Sequence, residues 1–181
     1  MPACELSCQI CGTRETRSLG DSDFRALLGE GIVQNPCAKC GGATDWKLVI
    51  PPRPEPQPSP PAGPRRLLLI DDDPDTLRIL QMMLHPQEYH VVTAESADQA
   101  IQRLQTEDYD VIVSDILMPG FDGRSLYRFL ACFLPDYTSK VVFLTGDHSE
   151  KTLRFLRESS CPYSFKPIQL HELQSQIREI G

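Results

Sequence analysis

The 181-residue sequence has no apolar run near the ~18 residues that a membrane-spanning helix requires. Its start, Met1-Pro2-Ala3-Cys4-Glu5, lacks the apolar stretch of a secretory signal. It has no surplus of positive charge either: 18 Lys and Arg stand against 25 Asp and Glu, a net charge of −7. Non-specific phosphate binding needs several clustered cations, so nucleic acid is not an expected partner. The four histidines, His85, His90, His148 and His171, fit no metal-ligand spacing and offer no phosphodonor. These absences lead to the expectation of a soluble, cytoplasmic protein with no membrane partner.

What is present is unevenly distributed. Eight of the sixteen prolines fall between Pro51 and Pro64, in the stretch PPRPEPQPSPPAGP. Proline fixes φ and lacks a donor, so this stretch excludes helix and central strand. It is expected to run as polyproline II, ~3.1 Å per residue and on the order of 40 Å when fully stretched. Spacer is the preferred reading over a PxxP ligand for an SH3-like partner. The chain is therefore read as an N-terminal module over 1–50, a linker over 51–64 and a larger domain over 65–181. The first carries five basic and six acidic groups, the last twelve and eighteen, so most of the negative charge lies in the larger domain.

The N-terminal module contains Cys8-Gln9-Ile10-Cys11-Gly12 and Cys37-Ala38-Lys39-Cys40-Gly41, two CxxCG motifs with 25 residues between Cys11 and Cys37. A CxxC turn aims two thiolates at one point, and the following glycine lets the backbone curl beneath a metal. Two such turns supply four ligands for tetrahedral Zn2+: Cys8, Cys11, Cys37 and Cys40. A redox dithiol would use one CxxC opening a helix rather than two matched copies. Cys4 is a surplus thiol that could stand in for Cys8. Cys132 and Cys161, among apolar neighbours, are expected to be buried small hydrophobes rather than ligands. The segment resembles a zinc ribbon, with Trp46, Leu48 and Ile50 as a half-buried strand and Asp21–Leu28 as a short helix. So small a core should depend on the metal. With near-neutral charge, its expected contact is protein.

From Arg65 the pattern changes. Apolar runs at Leu67–Ile70, Tyr89–Thr93, Val111–Val113, Val141–Leu144 and Tyr163–Phe165 alternate with helical stripes. The stripes are Leu77/Leu80/Leu84, Ala97/Ile101/Leu104, Leu126/Phe129/Leu130/Phe133 and Leu170/Leu173/Ile177/Ile180; the fourth helix is marked by Lys151, Arg154 and Arg157 on one face. Asp73-Pro74 reads as N-cap and first helical position, and Ser96–Gln99 as a capping box. The fold class is α/β, a five-stranded, doubly wound parallel sheet. Such sheets place their chemistry at the carboxyl ends of the strands. There stand Asp71-Asp72-Asp73 after the first strand, Asp115 after the third, Thr145 after the fourth and Lys166-Pro167 after the fifth. Converging carboxylates call for a hard cation, Mg2+, and an adjacent hydroxyl and ammonium suit a phosphoryl group.

The run VIVSDILMPGFDG, with that acidic cluster, the Thr and the Lys-Pro, resembles the flavodoxin-like receiver domain of two-component response regulators over essentially all of 65–181. The resemblance implies that Asp115 accepts a phosphoryl group from a sensor histidine kinase or phosphotransfer protein. It implies Mg2+ held by Asp71, Asp72, Asp115 and the backbone carbonyl of Leu117. Thr145 and Lys166 would contact phosphoryl oxygens. Tyr163 falls at the switch aromatic position, though packing alone also explains an aromatic there. Leu117 and Asp147 fall where the family tunes hydrolysis, and an apolar Leu117 implies a long-lived phosphoryl-aspartate. Asp73 and Asp122 read as cap or turn residues, and the basic face of the fourth helix as solvated or partner-binding.

The reading is a response regulator that is no enzyme in the turnover sense. Its output is phosphorylation-dependent binding of a downstream protein, with a phosphorylation-dependent homodimer left open. Three alternatives stand beside it: a ribbon that binds DNA under the receiver's control, a receiver that only docks, and a haloacid dehalogenase-like phosphatase. The last would use Asp71 as nucleophile and Asp73 as acid/base, but it needs an acidic motif after Lys166, where no Asp occurs.

Overall fold

The computed structural model describes residues 3–18, 23, 26–27, 32–49 and 63–180. The chain divides into two compact units, Met1–Pro52 and Arg53–Gly181. Ile50, most of the linker, the side chains of Cys4 and Leu48, and most of the expected Asp21–Leu28 helix lie outside the described residues. Asp23, Ala26 and Leu27 are helical, and Leu27 is buried.

The first unit is a four-stranded antiparallel sheet rather than the single strand expected after the second knuckle. Its strands are β1 (Ala3–Cys8), β2 (Arg14–Ser18), β3 (Val33–Cys37) and β4 (Gly42–Leu48), in the order β2-β1-β4-β3. Each CxxCG forms the hairpin turn between two strands. Gly12 N donates to Cys8 O at 3.0 Å and Gly41 N to Cys37 O at 2.9 Å, so the two turns close alike. Both glycines adopt positive φ, 72° and 78°, the left-handed region a side chain would disfavour. The register pairs Cys8 with Trp46 and Cys37 with Gly42, which brings both turns to the same end of the sheet. Leu6, Val33 and Trp46 fill the small core. Trp46 Nε1 donates to Asn35 O at 3.0 Å, and the Arg17 guanidinium lies 4.4 Å from the centre of its ring.

The second unit alternates strand and helix: β5 (Arg65–Ile70), α1 (Pro74–Met83), β6 (Tyr89–Ala94), α2 (Ala97–Thr106) and β7 (Val111–Asp115) lead to α3 (Gly123–Phe133). A 3-10 helix over Pro135–Lys140 then precedes β8 (Val141–Thr145), α4 (Glu150–Ser159), β9 (Tyr163–Phe165) and α5 (Leu170–Glu179). All five strands are parallel, in the order β6-β5-β7-β8-β9. Successive residues Leu67, Leu68, Leu69 and Ile70 are all fully buried, because helices cover both faces. One face packs Leu67, Leu69, Val111, Val113, Val142 and Leu144 against α1 and α5 through Leu77, Leu80, Leu173 and Ile177. Each such side chain contributes about 1.5–3 kcal/mol of burial. On the other face Phe143 meets Tyr127 and Phe155 edge-on at 5.8 and 5.2 Å.

The caps expected at Asp73 and Asp122 form: Asp73 accepts from Asp75 N and Thr76 N, and Asp122 from Ser125 N. Ser149, not singled out in the sequence, caps α4 by accepting from Thr152 N. Ser96 accepts from Gln99 N at 3.3 Å, but Gln99 Oε1 returns to Glu95 N rather than to Ser96 N. Two details differ from expectation. Cys132 is exposed, one position off the apolar stripe of α3, while Cys161 is buried. The 3-10 helix, absent from the sequence reading, buries Tyr137, whose hydroxyl accepts from Tyr109 N at 3.3 Å and donates to Asp108 Oδ1 at 3.2 Å.

Candidate functional site

The chain leaves β5 for one neighbour, β6, and later returns for β7 on the other side, so a crevice opens at the carboxyl ends of β5 and β7. Asp71 follows β5 directly and is fully buried; its Oδ1 accepts from Asp73 N at 3.0 Å. Asp72, beside it, is exposed. Asp115 ends β7 at 4% exposure, and its Oδ1 accepts from Leu117 N at 3.1 Å. One carboxylate oxygen from each of Asp71, Asp72 and Asp115 lies within 4.8 Å of the others.

Lys166, at the end of β9, reaches into this cluster. Its Nζ donates to Asp71 Oδ2 at 2.8 Å and to Asp115 Oδ2 at 2.6 Å. The peptide that follows it, Lys166–Pro167, is cis. Burial pushes the Asp115 carboxyl up, and the hydrogen bond and charge of Lys166 offset only part of that effect. Burial alone would lower Lys166, but the two carboxylates beside it outweigh this and hold the ammonium above its ordinary value. Three carboxylates and one ammonium leave two negative charges uncompensated, and every free donor is oxygen. That set fits a hard divalent cation such as Mg2+.

Thr145 ends β8, fully buried, and its Oγ1 accepts from Asp147 N at 3.0 Å. Its carbonyl accepts from Lys166 N at 2.8 Å, which places hydroxyl and ammonium on adjacent strand ends. Thus the structure brings together Asp71, Asp72, Asp115, Thr145 and Lys166. The side chain of Leu117 points to solvent, 46% exposed, while its backbone adjoins Asp115. Tyr163 lies on the edge strand, 39% exposed, with its ring edge-on to Phe165 at 5.5 Å; the His148 ring stacks on Phe165 at 4.2 Å. Asp73 is a cap, and the Thr76 hydroxyl foremost holds its carboxyl below the usual range.

Sequence reasoning missed Gly123. A Cβ there would stand 2.2 Å from the Asp115 carbonyl oxygen and 2.9 Å from Ile116 Cα, so only glycine lets α3 start against the end of β7. The available signal is the Asp122-Gly123 pair, which in sequence reads only as a cap or turn.

The second cluster is the four thiols of the first unit. Cys8 and Cys40 Sγ lie 3.9 Å apart, Cys11 and Cys37 Sγ 3.8 Å, and all four fall within 4.8 Å. Four thiolates ~2.3 Å from a tetrahedral zinc would stand ~3.8 Å from one another, so the arrangement fits that ion. The Thr44 hydroxyl foremost draws the Cys8 thiol down to about 6, while the neighbouring Cys11 foremost pushes Cys40 up to about 12. A central cation is what would let all four lose their protons together.

A family model for the response regulator receiver domain matches residues 67–178. Among curated proteins, the chain is 33% identical over 111 residues to the two-component response regulator ARR11 of Arabidopsis thaliana, across 60% of this chain and 21% of that protein. It is 31% identical over 113 residues to ARR10 of the same plant, across 61% and 20%. The chain thus spans about a fifth of the length of the curated relatives it matches. The signal receiver domain of an HD domain-containing protein from Pseudomonas fluorescens superposes with a TM-score of 0.59 at 29% identity, covering 65% of this chain and 94% of that one. A Francisella response regulator receiver domain gives 0.57 at 26%, covering 64% and 95%. Neither the phosphatase nor the DNA-binding alternative is favoured by these likenesses. With the parallel sheet, the acidic crevice and the family match in agreement, the chain belongs to the response regulator receiver domain family.

Proposed function

We propose that this protein is a phosphorylatable response regulator in which Asp115 accepts a phosphoryl group from a histidine of a sensor kinase or phosphotransfer protein. The observation that carries this reading is the convergence of Asp71, Asp72 and Asp115 within 4.8 Å, with Lys166 Nζ bound to both buried carboxylates. Asp71, Asp72, Asp115 and the Leu117 carbonyl would hold Mg2+. That ion, when bound, would neutralise charge on the transferring group. Asp115 Oδ2 is the nucleophile: it forms the new P–O bond as the donor's P–N bond breaks, and the electron pair stays with the imidazole nitrogen. Lys166 must release part of its contact with Asp115 Oδ2 for this, and its ammonium then pairs with phosphoryl oxygen. Thr145 donates its hydroxyl to a second oxygen. Tyr163 serves as the aromatic that follows Thr145 and remodels the β9 edge.

Output is phosphorylation-dependent binding of a downstream protein, with no turnover activity beyond the domain's own phosphoryl chemistry. The four-cysteine unit is a structural zinc module of zinc-ribbon type, tethered by the proline-rich linker and used for protein contact. The exposed residues Lys151, Arg154 and Arg157 on α4 belong to the surface available to partners. Intact mass after incubation with magnesium and acetyl phosphate tests the proposal. Wild type should gain one phosphoryl adduct, roughly 80 Da, and Asp115→Ala none. An adduct that survives Asp115→Ala would overturn the assignment.

A further inference from the structure

Thr152 lies within the first turn of α4, fully buried, and its hydroxyl donates to Asp147 Oδ2 at 2.6 Å. Buried helical threonines commonly bond back to a carbonyl of the preceding turn; this one reaches a carboxylate outside its helix. From α3, Arg124 Nη1 approaches the same hydroxyl oxygen at 3.4 Å, while Nε and Nη2 bind Asp122 Oδ2 at 2.9 and 2.7 Å. Asp147 is held further by Ser149, whose N–H and hydroxyl donate to it at 2.8 and 2.7 Å. The Asp147 N–H in turn donates to Thr145 Oγ1 at 3.0 Å. Polar contacts therefore run from the start of α3, which abuts Asp115 at Gly123, across to Thr145. Helix capping does not account for the Thr152–Asp147 bond, because Ser149 Oγ already accepts from Thr152 N at 3.3 Å.

We propose that Thr152 and Arg124 are positioning residues for phosphoryl transfer: through Asp147 they fix the turn after β8 so that Thr145 presents its hydroxyl to the group arriving at Asp115. The inference rests on the phosphoacceptor reading above. With one lone pair of Thr145 Oγ1 bound to Asp147 N–H, the hydroxyl hydrogen is left to donate to a phosphoryl oxygen. The ionised Asp147 carboxylate accepts from Thr152 and twice from Ser149, and those hydroxyls keep it ionised by holding its carboxyl at about 2. Loss of the Thr152 hydroxyl frees the turn, and a displacement of a fraction of an ångström is felt at the reacting oxygen.

The test compares full-length wild type, Thr152→Val and Thr152→Ser. Its readouts are the rate of adduct formation from acetyl phosphate by intact mass, the magnesium concentration at half-maximal rate, and the melting temperature. Valine keeps the buried shape and removes the hydroxyl; serine restores the hydroxyl. Thr152→Val should slow the maximal rate about tenfold and leave the half-maximal magnesium concentration unchanged, with Thr152→Ser recovering most of the rate. A Thr152→Val rate equal to wild type overturns the proposal. So does a serine variant as slow as the valine one, or a magnesium requirement that rises in step with the rate loss, since either marks a packing role. If Thr152→Val does not fold, Asp147→Asn carries the same comparison, expected slow, and a wild-type rate there overturns it. No adduct on wild type would instead remove the phosphoacceptor reading itself and this inference with it.

Discussion

Replacing Gly123 by alanine puts a methyl group where the structure has no room. The added Cβ would stand 2.2 Å from the Asp115 carbonyl oxygen and 3.1 Å from the Asp115 carbonyl carbon, both backbone atoms that cannot swing aside. Relaxed carbon contacts lie at about 3.5 Å, so α3 must recede by ~1 Å or the end of β7 must turn. Either movement strains the 3.0 Å bond from Gly123 N to Ile116 O. Overpacking of this kind costs about 1–3 kcal/mol, offset by up to about 1 kcal/mol from alanine's better helix propensity. Taking ~2 kcal/mol for the clash, the net expectation is a loss of about 1–2 kcal/mol. With a urea dependence of about 2 kcal/mol per molar, the midpoint of the receiver transition should fall by roughly 0.5–1 M, read by far-ultraviolet circular dichroism. Because β7 carries Asp115, the rate of acetyl phosphate labelling should fall by at least about tenfold. Gly146→Ala is the matched control: it also follows a strand end, but nothing lies within 4 Å of its added Cβ, so stability should hold within about 0.5 kcal/mol. If Gly123→Ala matched Gly146→Ala in midpoint, the close-approach argument would be wrong.

Three further outcomes are expected. Removing zinc with a strong chelator should shift the emission of Trp46, the sole tryptophan and fully buried, to longer wavelength, while the helical signal of the receiver persists; an unchanged emission spectrum would contradict a metal-dependent module. Asp147 has its folded value depressed to about 2, so the stability it contributes is complete above the ordinary carboxylate range near 4 and is lost as pH falls from there toward 2. The melting-temperature gap between wild type and Asp147→Asn should therefore close over that window, and a gap constant with pH would refute the assignment. The exposed Leu117 side chain cannot hydrogen-bond a water, so phosphorylated protein should persist for minutes or longer and Leu117→Asn should shorten its lifetime about tenfold; a wild-type half-life of seconds would contradict this.

The receiver was legible because its strands are continuous apolar runs ended by charged or turn residues, a signal that burial on both faces imposes. Its site residues were legible for a related reason: Asp71, Thr145 and Lys166 each sit at the first polar position after such a run, and Asp115 one place later, after Ser114. The first unit lacked that signal. ACELSC, RETRS and VQNPC form strands with no sustained alternation, because two cysteine turns and one buried tryptophan organise that sheet. Cys132 was misjudged because apolar neighbours in sequence do not share its side of α3. Gly123 and Thr152 act on residues far away in the chain or across a turn, and neither a close backbone approach nor a hydroxyl bridging a turn to its helix leaves a periodic trace.

The receiver sheet is fastened unevenly across its width. Six residue pairs join β5 to β6, four join β5 to β7 and four β7 to β8, but only three join β8 to β9. Backbone opening should therefore begin at the β9 margin and reach the Asp71 and Asp115 strands last. The carboxylates sit on the stiff part of the sheet, and Lys166 and Tyr163 on the part that yields first. In amide exchange, Tyr163–Phe165 should lose protection well before Val111–Asp115. A domain assembled this way can keep Asp115 still while the β9 edge rearranges.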